Sequence, residues 1–109
     1  MHSFTLRITE NHLEKALRDM QERRVDNYVC EHCVVAQAVR EVMDSAWVAE
    51  YAIVKRPSIG AEFTNDEWQG DHNAQQLVRL WDNEKFDELR EMLPVEVTFR
   101  PYSYLLENK

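Results

Sequence analysis

The sequence predicts an α+β domain in which a small antiparallel sheet of about four strands carries helices on one face. Three observations favour this class: strand-like alternation near both ends of the chain, helical periodicity in two paired segments, and strand-like residues between the pairs. Together they predict the order β-α-α-β-β-α-α-β. With 109 residues, the chain fits a single domain spanning residues 1–109.

The first strand and the first helix are predicted from two different spacings of apolar residues. A strand is predicted over residues 3–9, where one face carries Phe4, Leu6 and Ile8. Asn11 is a candidate N-cap with Glu14 three residues later, and Glu14 is placed to pair with Arg18 one turn further on. The apolar stripe of this helix consists of Leu13, Ala16, Leu17 and Met20.

The middle of the chain is predicted to hold a helix over residues 31–44 and a strand over residues 47–55. The β-branched and aromatic content of the second segment, with Pro57 just after it, favours a strand over an extended helix. A short partner strand is predicted over residues 59–63. The buried side of the helix consists of Val35, Ala38, Val39, Val42 and Ala46.

Residues 64–73 are predicted to form a polar loop because Asn, Asp and Gly are frequent there. Asp71 is placed to cap a third helix, Asn83 allows a break, and a short fourth helix ends before Pro94. The stripe of the third helix consists of Ala74, Leu77, Val78 and Trp81. The alternation of Val95, Val97 and Phe99 predicts a last strand, a candidate to pair with the first.

The charge balance excludes several classes of function. The chain carries 20 acidic and 13 basic residues, a net charge of −7, whereas nucleic-acid binding needs a basic surface. No apolar run is long enough to span a membrane, and no secretory signal opens the chain, so a cytoplasmic location is expected. The excess acid either keeps the protein soluble or complements a basic partner.

Two acidic segments are the candidate partner-binding residues. In the first, Trp68 is flanked by acids in the predicted loop, and tryptophan is enriched among residues that dominate binding; the alternative is that Trp68 packs onto the core. The second is the exposed side of the fourth helix, which is otherwise an ordinary solvated helix face. The candidate residues are Asp66, Glu67, Trp68, Asp71, Glu84, Asp87, Glu88 and Glu91.

Cys30 and Cys33 form a C-x-x-C pair at the start of the second predicted helix. A thiolate there is stabilised by the helix dipole, so the pair would suit thiol-redox chemistry. Zinc is a further alternative, but it needs four ligands, and the other candidates are scattered: His2, His12, His32 and His72. The third interpretation is structural, with Cys33 as a small core residue. No zinc or other cofactor is required by this pattern.

Catalytic motifs are otherwise missing, and no enzyme activity is expected. The chain has two glycines, too few for a phosphate-binding loop, and it contains neither a nucleophile elbow nor an H-E-x-x-H motif. His12 is positioned as a general base in principle, although a surface or capping role is the simpler interpretation.

Several short segments resemble a family of small uncharacterised proteins encoded by bacteriophages and prophages. Residues 6–13 (LRITENHL) are similar to its opening strand and histidine-bearing helix start, and residues 33–38 (CVVAQA) resemble its Cys-Pro-(Ile/Val)-Ala-x-Ala helix, with Val34 in place of the proline. Trp81-Asp82 and residues 93–96 (LPVE) are similar to its closing helix and strand. The resemblance implies a phage origin and assigns no role to any residue.

These patterns lead to one leading hypothesis and two others. We expect a non-enzymatic phage accessory protein, cytoplasmic in the host bacterium, that binds and inhibits or modulates a host defence or nucleic-acid-handling protein through its acidic surface. The alternative is a small metal-binding or thiol-redox module organised by Cys30 and Cys33. A third is a pocket for a small ligand such as a nucleotide. Neither direct nucleic-acid binding nor membrane association is expected.

Overall fold

The computed structural model describes residues 2–23, 33–43, 46–57 and 65–102. Five strands form one antiparallel sheet in the order β1-β5-β4-β3-β2, and four helices accompany it, which confirms the α+β class and adds a strand. The elements in chain order are β1 (Phe4–Ile8), α1 (Glu10–Arg23), α2 (Val34–Val39), β2 (Trp47–Ala49), β3 (Ile53–Pro57), β4 (Asn65–Gly70), α3 (His72–Asp82), α4 (Phe86–Met92) and β5 (Val95–Pro101).

The predicted pairing of the first and last strands is confirmed. In β1 and β5, Phe4 lies opposite Phe99 and Ile8 opposite Val95, and the two strands are antiparallel. Burial alternates along both strands, so Val97 and Phe99 are fully buried. Because side chains of a strand alternate between faces, one face of the sheet belongs to the core while the other carries exposed polar residues. That outer face includes Thr5, Arg7, Glu96 and Arg100.

Helix α3 forms as its sequence predicts. The Asp71 side chain accepts a hydrogen bond from the Ala74 backbone N–H at 3.0 Å, and Asn83 is the C-cap. The stripe at helical spacing is buried against the sheet, because α3 contacts both β4 and β5. Its buried residues are Ala74, Leu77, Val78 and Leu80, whereas Trp81 of the predicted stripe is only half-buried.

Helix α1 begins one residue before the predicted cap, Asn11. The residue preceding the helix is Thr9, whose backbone carbonyl accepts from the backbone N–H groups of His12 and Leu13. The Thr9 backbone N–H donates to Nδ1 of His12 at 2.9 Å. A side chain at this helix position that accepts from the N-cap N–H is one half of a capping box, with histidine in the place of glutamate.

Helix α2 is shorter than predicted. It spans Val34–Val39, and the residues after it form a turn in which Val42 is 60% exposed, so Val42 does not belong to the buried stripe. Residues 31, 32 and 44 of the predicted helix lie outside the described residues. All six residues of α2 are buried, consistent with a central position between α1, α3 and β1.

The single strand predicted over residues 47–55 is a hairpin. Strands β2 and β3 pair through Trp47–Lys55 and Ala49–Ile53, and the tight turn Glu50–Ala52 connects them. The sequence lacks the Asn-Gly or Asp-Gly pair that usually signals such a turn, which explains the error. The partner strand predicted over residues 59–63 lies outside the described residues; the observed partner of β3 is β4.

One hydrophobic cluster unites the sheet with the helices. Its largest fully buried side chains come from strands and helices alike: Phe99, Ile8, Leu13, Leu77 and Leu89. Gly70, at the end of β4, allows the backbone of this strand to lie close to Ala74 of α3 and Ala52 of the β2–β3 turn. A Cβ there would lie 2.7 Å from the Ala74 Cβ and 2.9 Å from the Ala52 Cβ, so a glycine is needed. Among the described residues, no helix is long and apolar enough to cross a membrane.

Candidate partner-binding surface

Trp68 lies in strand β4, so the loop predicted around it is wrong. The side chain is 3% exposed, and its Nε1 donates to the His2 carbonyl at 3.0 Å. Its ring meets that of Phe4 edge to face with centroids 5.6 Å apart, and the guanidinium carbon of Arg56 lies 5.1 Å from its centroid. These contacts place Trp68 in the core, so it does not present an exposed anchor to a partner.

Asp66 and Glu67 face basic side chains of the neighbouring strand. In the β3–β4 register Asp66 lies opposite Arg56 and Glu67 opposite Lys55. The corresponding ion pairs have N–O distances of 2.9 Å and 3.4 Å. Each pair joins one acid and one base, and all four side chains are between 21% and 33% exposed. These pairs therefore add little net negative charge to the surface. The acidity expected around Trp68 is therefore balanced by β3.

Asp71 connects helix α3 with strand β5. One carboxylate oxygen caps the helix, and the other accepts from the Thr98 backbone N–H at 3.0 Å. The Asp71 backbone N–H also donates to the Thr98 carbonyl at 2.9 Å. Both carboxylate oxygens of Asp71 therefore accept hydrogen bonds from the chain itself. These bonds explain why an aspartate is present here, and no binding partner is needed to explain it. A structural role replaces the binding role as the simplest interpretation of Asp71.

The fourth helix keeps its predicted acidic surface. The candidate residues Glu84, Asp87, Glu88 and Glu91 are all exposed. Glu84 precedes the helix in a left-handed conformation (φ 57°), whereas the other three belong to α4. The opposite side of α4 carries Leu89, which is fully buried in the core. Burial of this residue anchors the helix so that its carboxylates point to solvent.

Helix α1 adds carboxylates to the same surface. Arg90 of α4 donates to Glu14 at 2.7 Å, so Glu14 pairs with Arg90 and not with Arg18. This hydrogen bond, together with the charges of Glu14, Glu10 and Asp87, raises the pKa of Arg90. We call this surface the acidic face; it comprises Glu10, Glu14, Glu84, Asp87, Glu88 and Glu91. Sequence reasoning missed Glu10 and Glu14 because their proximity to α4 is long-range.

Cys33 is buried at the start of α2 and takes part in a disulfide. Its Sγ accepts from the Ala36 backbone N–H at 3.4 Å and so caps the helix. Cys30 and His32 lie outside the described residues. Within the part of the chain that is described, no group of three or more metal-ligating side chains could hold a metal ion.

His12 is engaged at both ring nitrogens. Nδ1 accepts from the Thr9 backbone N–H, which assigns the proton to Nε2, and Nε2 contacts the Glu41 carboxylate. The Thr9 hydroxyl is also within 3.2 Å of Nδ1. A general base needs a free lone pair near its substrate, and here that lone pair accepts a backbone N–H. These contacts favour the capping role over the catalytic one.

Comparison with protein-family models, with curated proteins and with solved structures finds no match to this chain.

Proposed function

We propose that this protein is a non-enzymatic binding module that uses the acidic face to bind a basic surface of another protein. One observation carries the proposal: exposed carboxylates of α1 and α4 lie side by side across the Glu14–Arg90 ion pair, and Glu91 adds an exposed carboxylate in the last turn of α4. The helix dipole disfavours an acid at that end of a helix. Asp87 lies one turn earlier, and like charges at this spacing repel each other.

The other acids of α4 can be explained by the fold alone. Asp87 and Glu88 lie in the first turn of the helix, where the dipole favours negative charge. The charge of Glu91 has no such explanation, because it disfavours the helix that carries it. Glu22 has the same unfavourable position in the last turn of α1, but it lies apart from the acidic face, so its charge is not added to a cluster. Glu91 is therefore the residue on which the binding proposal depends.

The charge of the acidic face determines the class of partner. The acidic face has six carboxylates, against Arg90, which is already paired with Glu14, and the exposed Lys85 next to Glu84. A surface of this kind attracts a basic partner over distance and accelerates association. The resemblance to phage proteins makes a host protein the proposed partner. A basic groove that normally takes DNA or RNA, in a host defence or nucleic-acid-handling protein, would fit this charge, and its occupation would inhibit the host.

The test is a pull-down from bacterial lysate treated with nuclease, followed by affinity measurement with the captured protein. We expect Glu88→Lys combined with Glu91→Lys to weaken binding by about tenfold or more, mainly through slower association. Glu22→Lys is the matched control for Glu91→Lys, because Glu22 is also exposed in the last turn of its helix, at the end of α1 away from Glu10 and Glu14. Equal affinities for Glu91→Lys and Glu22→Lys would refute the acidic face as the contact surface.

The disulfide of Cys33 favours a second candidate, the thiol-redox module. Disulfides in cytosolic proteins are usually transient and redox-active, so a disulfide in a protein expected in the cytoplasm points to thiol chemistry. We propose for this candidate that the protein accelerates reduction of insulin by dithiothreitol and that Cys33→Ser abolishes the effect. A rate equal to that of dithiothreitol alone would exclude this candidate.

A further inference from the structure

A cavity of about 250 Å³ lies between the β2–β3 turn and helix α3, and none of its lining residues belongs to the acidic face. The turn contributes Tyr51, and the helix and its C-cap contribute the other lining residues: Gln75, Val78, Arg79, Asp82 and Asn83. The volume lies just below the range of about 300–1,000 Å³ typical of small-molecule sites. A ligand of this cavity would therefore be small.

The backbone of the turn is strained where it meets the cavity. Tyr51 (φ 61°, ψ 25°) and Ala52 (φ 59°) both have left-handed conformations, which non-glycine residues rarely adopt. Tertiary contacts maintain them: Gln69 Nε2 donates to the Tyr51 carbonyl at 2.6 Å, and Ala52 is fully buried beside Gly70. Strain that surrounding structure maintains is concentrated at ligand sites and other functional positions.

This strained turn presents an aromatic ring to solvent. Tyr51 is 69% exposed, so burial of its own ring does not compensate for the strain. An exposed aromatic ring beside a cavity is a suitable stacking platform for a planar ligand. The tight turn of the hairpin accounts for the backbone of Tyr51, and the exposed ring beside the cavity is what a ligand would use.

Gln75, Arg79 and Asn83 supply groups complementary to a nucleotide, whereas Asp82 adds a carboxylate about one helical turn from Arg79. Gln75 donates its amide to the Gly70 carbonyl at 3.0 Å, and Asn83 donates its amide to the Arg79 carbonyl at 2.8 Å. These bonds hold both side chains and leave their amide oxygens as acceptors for N–H groups of a ligand. The Arg79 side chain is exposed, and its guanidinium makes no hydrogen bond or ion pair with a described residue, so it can bind an anion.

From these observations we propose that the cavity binds a nucleoside monophosphate. The base stacks on Tyr51, its N–H groups donate to the amide oxygens of Gln75 and Asn83, and its phosphate pairs with Arg79. This site is independent of the proposed partner-binding function, because it uses none of the residues of the acidic face.

The test is a titration of the ¹⁵N-labelled protein with AMP, GMP, CMP and UMP, each up to about 5 mM, followed by NMR. At least one nucleotide is expected to shift the backbone signals of Tyr51, Ala52, Gln75 and Arg79 in a saturable way. Inorganic phosphate alone is expected to leave them in place. If no nucleotide shifts these signals, or if phosphate alone shifts them with the same affinity, the proposal is overturned.

Variants separate binding from folding. Tyr51→Asn places a residue that tolerates the left-handed conformation in the turn, so the protein remains folded while the stacking platform is lost. We expect this variant and Arg79→Ala to lower affinity at least about tenfold, and Tyr51→Phe to retain it. Arg7→Ala, which removes an exposed arginine from the outer sheet face, is the matched control. Unchanged affinity in Tyr51→Asn and Arg79→Ala would also overturn the proposal.

Discussion

Trp68 lies in a polar stretch of the chain, with Asp66 and Glu67 before it and Gln69 and Gly70 after it, and is nevertheless 3% exposed. Its polar neighbours in sequence either pair with β3 or lie on the other face of the sheet. The same residue types that suggested a loop are compatible with a strand whose partners carry the opposite charge. At the scale of the residue, the environment of Trp68 was decided by contacts distant in sequence.

Replacement of Trp68 tests this placement. Trp68→Ala removes a buried indole, its hydrogen bond to His2 and its contact with Phe4, so we expect a loss of about 3–5 kcal/mol in the free energy of unfolding. Urea denaturation measures this loss. Trp47→Ala is the control, because Trp47 is only half-buried in the edge strand β2. If the two variants lose equal stability, Trp68 is not the core residue described here.

At the scale of the element, α3 and α4 are stabilised in different ways. Helix α3 has a side-chain cap at Asp71 and a continuous buried stripe, both readable from the sequence. Helix α4 has no side-chain cap, spans Phe86–Met92, and buries Leu89 as its one fully buried residue. Its position depends on packing, which also brings Arg90 to Glu14 of α1. Short helices of this kind depend on tertiary contacts for most of their stability.

Asp71 can be tested as the connection between α3 and β5. Asp71→Ala removes the helix cap and the acceptor of the Thr98 N–H, and we expect it to cost about 2–3 kcal/mol in the free energy of unfolding. Asp71→Asn retains one acceptor oxygen and is expected to lose less. Thermal unfolding followed by circular dichroism compares the two. Equal losses in both variants would contradict the two-oxygen arrangement.

At the scale of the whole molecule, the residues behind the net charge of −7 are unevenly distributed over the described surface. In the sheet, acids and bases pair across strands, as Asp66 does with Arg56 and Glu67 with Lys55. On the acidic face, the carboxylates of Glu10, Glu14 and Asp87 share Arg90. Repulsion among them opposes the compact state and is weakened by salt. Within the described part of the chain, six of the acids therefore lie on one surface formed by two helices.

The salt dependence of stability tests this distribution. We expect the free energy of unfolding to rise between low and physiological ionic strength, because the Debye length falls from about 30 Å at 0.01 M to about 8 Å at 0.15 M. Glu88→Lys with Glu91→Lys reduces the net charge from −7 to −3 and should reduce this rise. Glu22→Lys with Glu96→Lys makes the same change in net charge away from the acidic face. The same reduction in both double variants would show that repulsion is not concentrated there.

The sequence by itself determined the elements whose signals are local. The alternation of β1 and β5, the apolar stripe of α3 with its Asp71 cap, and the exposed acids of α4 all follow from periods of two or about 3.6 residues. The pairing of β1 with β5 was also anticipated, since both strands bury one face. The Thr9–His12 cap was missed because histidine is not the usual residue at that position of a capping box.

Only the tertiary structure decided the rest. Strand β4 exists because Arg56 and Lys55 compensate its acids, and the turn at Tyr51 exists because Gln69, Gly70 and Ala52 maintain a backbone that Tyr-Ala does not favour. The acidic face and the cavity are likewise assembled from residues far apart in the chain. Local propensity is worth a fraction of a kcal/mol per residue, whereas burial and cross-strand contacts are worth more. Where the two disagree, as around Trp68, packing prevails.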